Sequence, residues 1–272
     1  MKNAFNNLIY EGYYTNPRRE IDSPLARLNL IIVKSVDKKL LGQRLERVRE
    51  RIRLAESTYR RPLGSTRLLA VSKTRPADEV RAAAQLGQTA FGENYLQEAL
   101  TKIGQLRELG LEWHFIGRLQ SNKTKAIAEN FDWVHSIADL KHARRLSDQR
   151  PPGTPPLKVC LQVNTSGEES KDGHEPDELR DLFAQYTVLP NLALMGLMTI
   201  PAPAEGIVAQ RRPLRLLREL RDELRTPELP LETLSMGMSD DLEAAIAEGS
   251  TLVRIGTAIF GPRQYNGPVT TP

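Results

Sequence analysis

Across 272 residues the chain has one cysteine, four histidines and two tryptophans, and aromatic residues make up 6%. A lone cysteine excludes an internal disulfide and leaves no cysteine cluster for zinc. Cys160 lies inside the apolar run "LKVCLQV", where a buried, inert thiol is the expected state. The histidines are scattered: His114 and His135 alternate within strand-like runs, His142 falls on a helical pattern and His174 in a loop. No metal constellation, Ser/His/Asp order or glycine-rich nucleotide loop stands out, and a core or surface role is the default for each histidine. No apolar stretch approaches the about 20 residues needed to span a bilayer. The N-terminus shows no continuous apolar region ahead of a small-residue cleavage site, so a cytoplasmic protein without membrane contact is expected.

Net charge is also small, and its excess is local. The whole chain carries a net +4, yet Lys34 to Arg61 alone holds ten Lys or Arg against four Asp or Glu. A nucleic-acid role would have to reside there. Within the segment, however, Leu41, Leu45, Val48, Ile52, Ala55 and Tyr59 recur at spacings of four and three. That is an amphipathic helix with a solvated basic back, and no nucleic-acid-binding motif follows it. A scaffold helix is the expectation, with no nucleic-acid partner.

Residues 1–35 lack clear periodicity and read as an N-terminal extension, poorly ordered. From there, eight strand-like runs alternate with helical patterns: 66–72, 89–93, 112–117, 133–137, 157–163, 193–200, 233–236 and 252–256. The intervening helices are expected near 76–87, 95–109, 121–130, 139–149, 175–186, 209–225 and 240–248. Strict alternation of eight strands predicts an α/β fold, a single (β/α)8 TIM-type barrel over residues 36–265. An open doubly wound sheet is the structural alternative. Only seven helices fall between the strands, so the basic N-terminal helix is expected to complete the outer ring. Residues 266–272 form a tail.

In such barrels the functional face lies at the C-terminal ends of the strands. That rule selects Lys73, Glu93, Asn94, Gly117, Arg118, Asn164, Thr199, Ser235, Gly237, Gly256 and Thr257. The loops after strands seven and eight, "SMGMS" and "IGTAIFG", supply hydroxyls, backbone N–H groups and glycines that let a phosphate come close. Simple turn formation is the plainer reading of Ser235 and Thr257. Barrel closure brings those loops beside strand one, which ends "LLAVSKTRP". An ammonium at the tip of a core strand is costly unless paired or neutralised. A desolvated lysine has a lowered pKa and condenses with an aldehyde to a Schiff base. Pyridoxal 5′-phosphate (PLP) combines phosphate and aldehyde. A lysine snorkelling from the strand end is the alternative. Arg254 interrupts the last apolar strand two residues before Gly256, with the same side-chain parity. Facing a pyridine ring, it would donate to the ring nitrogen and keep it unprotonated, weakening the cofactor as an electron sink. An ion pair with a barrel carboxylate such as Glu93 is the alternative.

The motifs "LLAVSKTRP", "FGENYLQE", "WHFIG", "LQSNK", "QVNTSGEESKDG", "GLMTIPAP" and "LSMGMSDDLEAAIAEGSTLVRIGTAIFGPR" together resemble the pyridoxal phosphate homeostasis proteins, over about residues 40 to 265. The resemblance implies a single-domain, alanine-racemase-like barrel that binds PLP and balances PLP, vitamin B6 and amino-acid pools without an established reaction. It implies Lys73 as the Schiff-base lysine, Ser235, Gly256 and Thr257 around the phosphate, and Arg254 at the pyridine nitrogen. Asn94 joins the candidate cofactor-binding set; no catalytic or metal-ligating residue is assigned. PLP-dependent apoenzymes are the implied recipients, and a monomer the implied state. Two departures stand out. Arg118 replaces the family's usual proline at the barrel mouth, and Pro213 interrupts the start of a helix, which it is expected to shorten.

An amino-acid racemase is the competing function. Racemisation on PLP wants two opposed acid–base groups. Lys73 would serve one face, but in the racemases the second group is a tyrosine tied to an extra β domain, and none is expected from the residues that follow the barrel. Tyr95 and Tyr265 are nominal substitutes without an indicated partner, so binding without turnover is the expectation.

Overall fold

A computed structural model describes residues 36–168 and 172–262. The expected extension 1–35, the tail 266–272 and Tyr265 lie outside the described residues. Eight parallel strands close into one barrel in chain order: β1 Arg67–Val71, β2 Ala90–Glu93, β3 Glu112–Phe115, β4 Trp133–Ile137, β5 Leu157–Gln162, β6 Leu192–Met198, β7 Thr233–Ser235 and β8 Leu252–Ile255. Closure rests on β1 pairing with β8, with Leu69 opposite Arg254 and Ala70 opposite Ile255. The open-sheet alternative is thereby excluded.

The strands form because their residues are apolar on both faces, as a parallel sheet covered by helices requires. Leu69, Phe91, Phe115, Val134, Leu161, Leu197 and Ile255 are all essentially inaccessible to solvent. The outer ring comprises α1 Lys38–Thr58, α2 Ala77–Gln85, α3 Leu96–Gln105, α4 Thr124–Asn130, α5 Leu140–Gln149, α6 Pro176–Thr187, α7 Ile207–Leu224 and α8 Leu242–Ala247. One turn of helix, α9 Thr257–Phe260, follows β8 directly; the sequence reading did not single it out.

Helix α1 packs against α2, α8 and α9, so it fills the ring position left vacant between the last helix and the first. Its buried stripe is Leu41, Leu45, Val48, Ile52 and Ala55, as the periodicity indicated; Tyr59 caps the helix and is half-buried. Several of its cations are spent on the protein itself. Arg51 reaches Glu243 and the Ser239 carbonyl, Arg49 the Leu86 carbonyl, and Arg53 pairs with Glu46 and Glu50. Buried Glu56 accepts from the Thr66 and Gly64 N–H groups, which fixes the chain's entry into β1.

Pro213 does not shorten its helix. Helix α7 starts at Ile207, ahead of the expected position, and continues through Pro213 to Leu224. A proline inside a helix forfeits one hydrogen bond to the carbonyl four residues back. Buried Leu214, Leu217 and Leu220 hold the following turns on the barrel.

Candidate functional site

Lys73 stands two residues beyond the last residue of β1 and is half-buried. A tight turn carries it: the Arg75 N–H donates to the Ser72 carbonyl at 3.0 Å. Thr74 has φ 64°, left-handed backbone that a β-branched residue rarely adopts. Such a conformation persists only where neighbours over-determine it. Here they do. The Thr74 N–H donates to Glu98 Oε2 at 2.9 Å, and Arg75 donates to the carbonyls of Gly261 and Pro262. On the inner side, Ser72 Oγ donates to Glu93 Oε1 at 2.6 Å, while Lys102 Nζ donates to both the Ser72 carbonyl and Glu93 Oε1 at 2.7 Å. Burial holds the Glu93 carboxyl above the usual carboxylate range, with Lys102 opposing.

Arg254 lies opposite Leu69 on the closing strand and is almost completely buried. The alternative pairing with Glu93 is not made, since Glu93 belongs to Lys102. Arg254 donates instead to neutral oxygens: Nη1 to Ser235 Oγ at 2.8 Å and to the Ser235 carbonyl at 2.5 Å, and Nη2 to the Thr199 carbonyl at 2.8 Å. Burial pulls the guanidinium down to about 10, so it remains a cation at neutral pH.

Gly256 is half-buried and Thr257 exposed at the rim, directly beyond Arg254. A side chain at Gly256 would come within 3.2 Å of the Val71 carbonyl, so glycine permits the two closing strand ends to lie this near. Ser235 differs from these two: it is fully buried, and its hydroxyl is committed to His135 Nδ1 and Arg254. The half-buried hydroxyl farther out on the same loop is Ser239.

Asn94 follows β2 and is half-buried, but its side-chain oxygen is inaccessible and has no hydrogen-bond partner among the described residues. Unpaired buried polar atoms are rare and ask for a reason; one aimed at a ligand is such a reason. The Asn94 backbone lies close against Gly117, where a Cβ would fall 2.1 Å from the Asn94 carbonyl oxygen. Arg118, the departure at the mouth, points outward to an exposed contact with Asp172 at 3.3 Å. Asn164 braces its own loop through Glu175 and the Glu168 carbonyl. Cys160 is buried and its thiol is pushed up to about 12 by that burial, as befits an inert group. A cavity of about 720 Å³ opens near Thr165, Pro203 and Arg212, but Lys73, Arg254 and Gly256 do not line it.

The strand-end rule thus selects Lys73, Asn94, Gly256 and Thr257 at the C-terminal ends of the strands, and Arg254, singled out as a charge within an apolar strand, is buried on β8. It missed Lys102, Glu98 and Arg75, which hold the Lys73 turn, and His135, which holds Ser235. The signal available for Lys102 was a cation at a position of α3 that the helix buries.

A strand-tip amine, a buried guanidinium, an orphaned amide oxygen and a glycine-lined rim suit a phosphorylated aldehyde whose ring carries a nitrogen acceptor. The comparisons agree with that chemistry. Residues 43–264 match the family model of the alanine racemase N-terminal domain. An alanine racemase from Corynebacterium glutamicum shares the fold, with a TM-score of 0.62 at 19% identity over 83% of this chain and 62% of its own. The protein is therefore a barrel of the alanine-racemase type. It belongs, more narrowly, to the pyridoxal phosphate homeostasis protein family. The Pseudomonas aeruginosa member is 55% identical over 230 residues, covering 85% of this chain and 99% of the relative. The Escherichia coli K12 member is 50% identical over 229 residues, covering 83% and 98%. The structure of PipY from Synechococcus elongatus with PLP bound superposes with a TM-score of 0.70 at 36% identity, covering 81% of this chain and all of PipY.

Proposed function

We propose that this protein binds PLP at the barrel mouth and serves PLP, vitamin B6 and amino-acid homeostasis by holding the cofactor rather than turning over a substrate. Lys73 is the amine that captures the aldehyde as a Schiff base, Gly256 and Thr257 border the phosphate with Ser235 behind them, Asn94 accepts a polar group of the ring, and Arg254 faces the ring nitrogen. PLP-dependent apoenzymes are the proposed recipients. The observation that supports the reading is the pairing of β1 with β8, which sets the strand leading into the Lys73 turn against the strand that carries Arg254, with Gly256 against the Val71 carbonyl. A guanidinium stays charged where a weaker base would share its proton, so the nitrogen it faces remains unprotonated. That limits electron withdrawal by the ring and suits storage.

The test is the absorbance spectrum of the purified protein titrated with PLP. A near-ultraviolet or visible band that borohydride removes, leaving a mass adduct on Lys73 and absent in Lys73→Ala, is expected. A protein that takes up no PLP would overturn the reading. The racemase alternative calls for a second acid–base group; Tyr95, the nominal candidate among the described residues, is 49% exposed at the start of α3. Interconversion of mirror-image amino acids on the order of 10 per second, lost in Lys73→Ala, would favour that alternative.

A further inference from the structure

A line of polar side chains crosses the barrel interior. Arg67 donates to Glu112 Oε2 at 2.9 Å. Glu112 Oε1 and His114 Nε2 stand 3.0 Å apart, a contact off the line of a straight hydrogen bond, and neither atom has another partner among the described residues. His114 Nδ1 meets His135 Nε2 at 2.8 Å, and His135 Nδ1 meets Ser235 Oγ at 2.8 Å. Ser235 Oγ then receives Arg254 Nη1, also at 2.8 Å. Both histidines are fully buried, and the His114 ring is stacked on Trp133 with an angle of 9° between planes. The line therefore joins a carboxylate on β3 to the buried cation on β8, through five residues on four strands.

Chemistry gives this line a direction. A neutral imidazole has one N–H and one bare nitrogen, so each ring donates on one side and accepts on the other. Burial disfavours the charged form of both rings, and His135 is further opposed by His114 and Arg254. Glu112 accepts only: the His114 ring, with Arg67 behind it, holds its carboxyl down at about 2. The nitrogen facing Glu112 must then be N–H, which leaves His114 Nδ1 bare. That bare nitrogen requires an N–H on His135 Nε2, which leaves His135 Nδ1 to accept from the Ser235 hydroxyl. Ser235 Oγ is left with its lone pairs toward Arg254. Reversing the order would set a bare His114 nitrogen against the carboxylate.

We propose that Glu112, His114 and His135 are positioning residues that fix Ser235 as an acceptor and thereby aim the Arg254 guanidinium at the barrel mouth. Among the described residues Arg254 donates to neutral oxygens and Asp241 acts on it through space, while Glu112 stands four contacts away along the line. The role assigned to Arg254 rests on the PLP reading above; the direction of the line does not.

Nitrogen-15 NMR of histidine-labelled protein, without and with added PLP, tests this. In the wild-type protein both rings should be neutral, with the proton on Nε2 and pyridine-type Nδ1. A proton on Nδ1 of His114 would overturn the proposal. In His114→Phe, which keeps a ring against Trp133 but cuts the line, His135 should become a mixture of tautomers and the absorption maximum of bound PLP should shift. An unmoved His135 tautomer and an unmoved maximum would also overturn it. Should that variant not fold, the wild-type tautomers decide alone. A protein with the stated tautomers that binds no PLP would instead defeat the PLP reading while leaving the direction standing.

Discussion

Lys102 and Glu93 meet at 2.7 Å behind the turn that carries Lys73, and the same ammonium holds the Ser72 carbonyl. Both side chains are almost wholly buried, 6% and 0% exposed. A buried pair of this kind contributes little against a well-packed apolar substitute, but removing one partner strands the other charge. Lys102→Met should therefore cost about 3–5 kcal/mol in urea unfolding. It should also loosen the Lys73 turn, read as weaker PLP uptake. The double variant Lys102→Met with Glu93→Gln should recover part of the stability.

Acid should act through Glu112. Its folded value, about 2, lies below the ordinary 4.5. A depressed carboxylate contributes stability above the unfolded value, and that contribution is lost as pH falls through the folded one. Urea midpoints of the wild-type protein should fall between pH 4.5 and 2 more steeply than those of Glu112→Gln. Parallel curves would refute this.

At Gly117 the obstacle is backbone, since an added Cβ would sit 2.1 Å from the Asn94 carbonyl oxygen. Gly117→Ala should destabilise by about 1–3 kcal/mol, the range for overpacking, and lower PLP affinity by moving Asn94. Gly104, within α3, has open space where a Cβ would go. Gly104→Ala should stabilise by about 0.5–1 kcal/mol through helix propensity, with PLP uptake unchanged. Thermal melts and PLP titrations of the two variants make the comparison.

Arg118 should matter little. Its side chain is 77% exposed and its contact with Asp172 is a surface one. Such pairs are worth about 0–1 kcal/mol. Arg118→Ala should shift stability by no more than about 0.5 kcal/mol and leave the PLP affinity within twofold, measured by fluorescence titration. A tenfold change in affinity would show that this cation takes part in binding.

The strands were legible because a parallel barrel buries both faces and so writes each strand as a short apolar run. Their tips were legible too: a lysine after "LLAVS" and an arginine within "LVRIG" contradict their surroundings. What stayed hidden depends on distance across the barrel. Nothing local in "WHFIG" or "WVHSI" says that His114 and His135 touch, because the register of β3 and β4 decides it. Lys102 is a cation on a helix in the sequence, and only the fold brings it to the Ser72 carbonyl and Glu93. Pro213 misled in the other direction, since the local cost of a proline was outweighed by the leucines packed below it.

The pairing of β1 with β8 has a consequence in time as well as in space. Lys73 leaves the ribosome early, whereas Arg254, Gly256 and Thr257 are among the later residues of the 272. A partly made chain can carry the lysine without the closing strand. The mouth formed by the ends of β1 and β8 is assembled only when the barrel shuts, so at the proposed site the cofactor would meet a pocket whose first and last parts are made at opposite ends of synthesis.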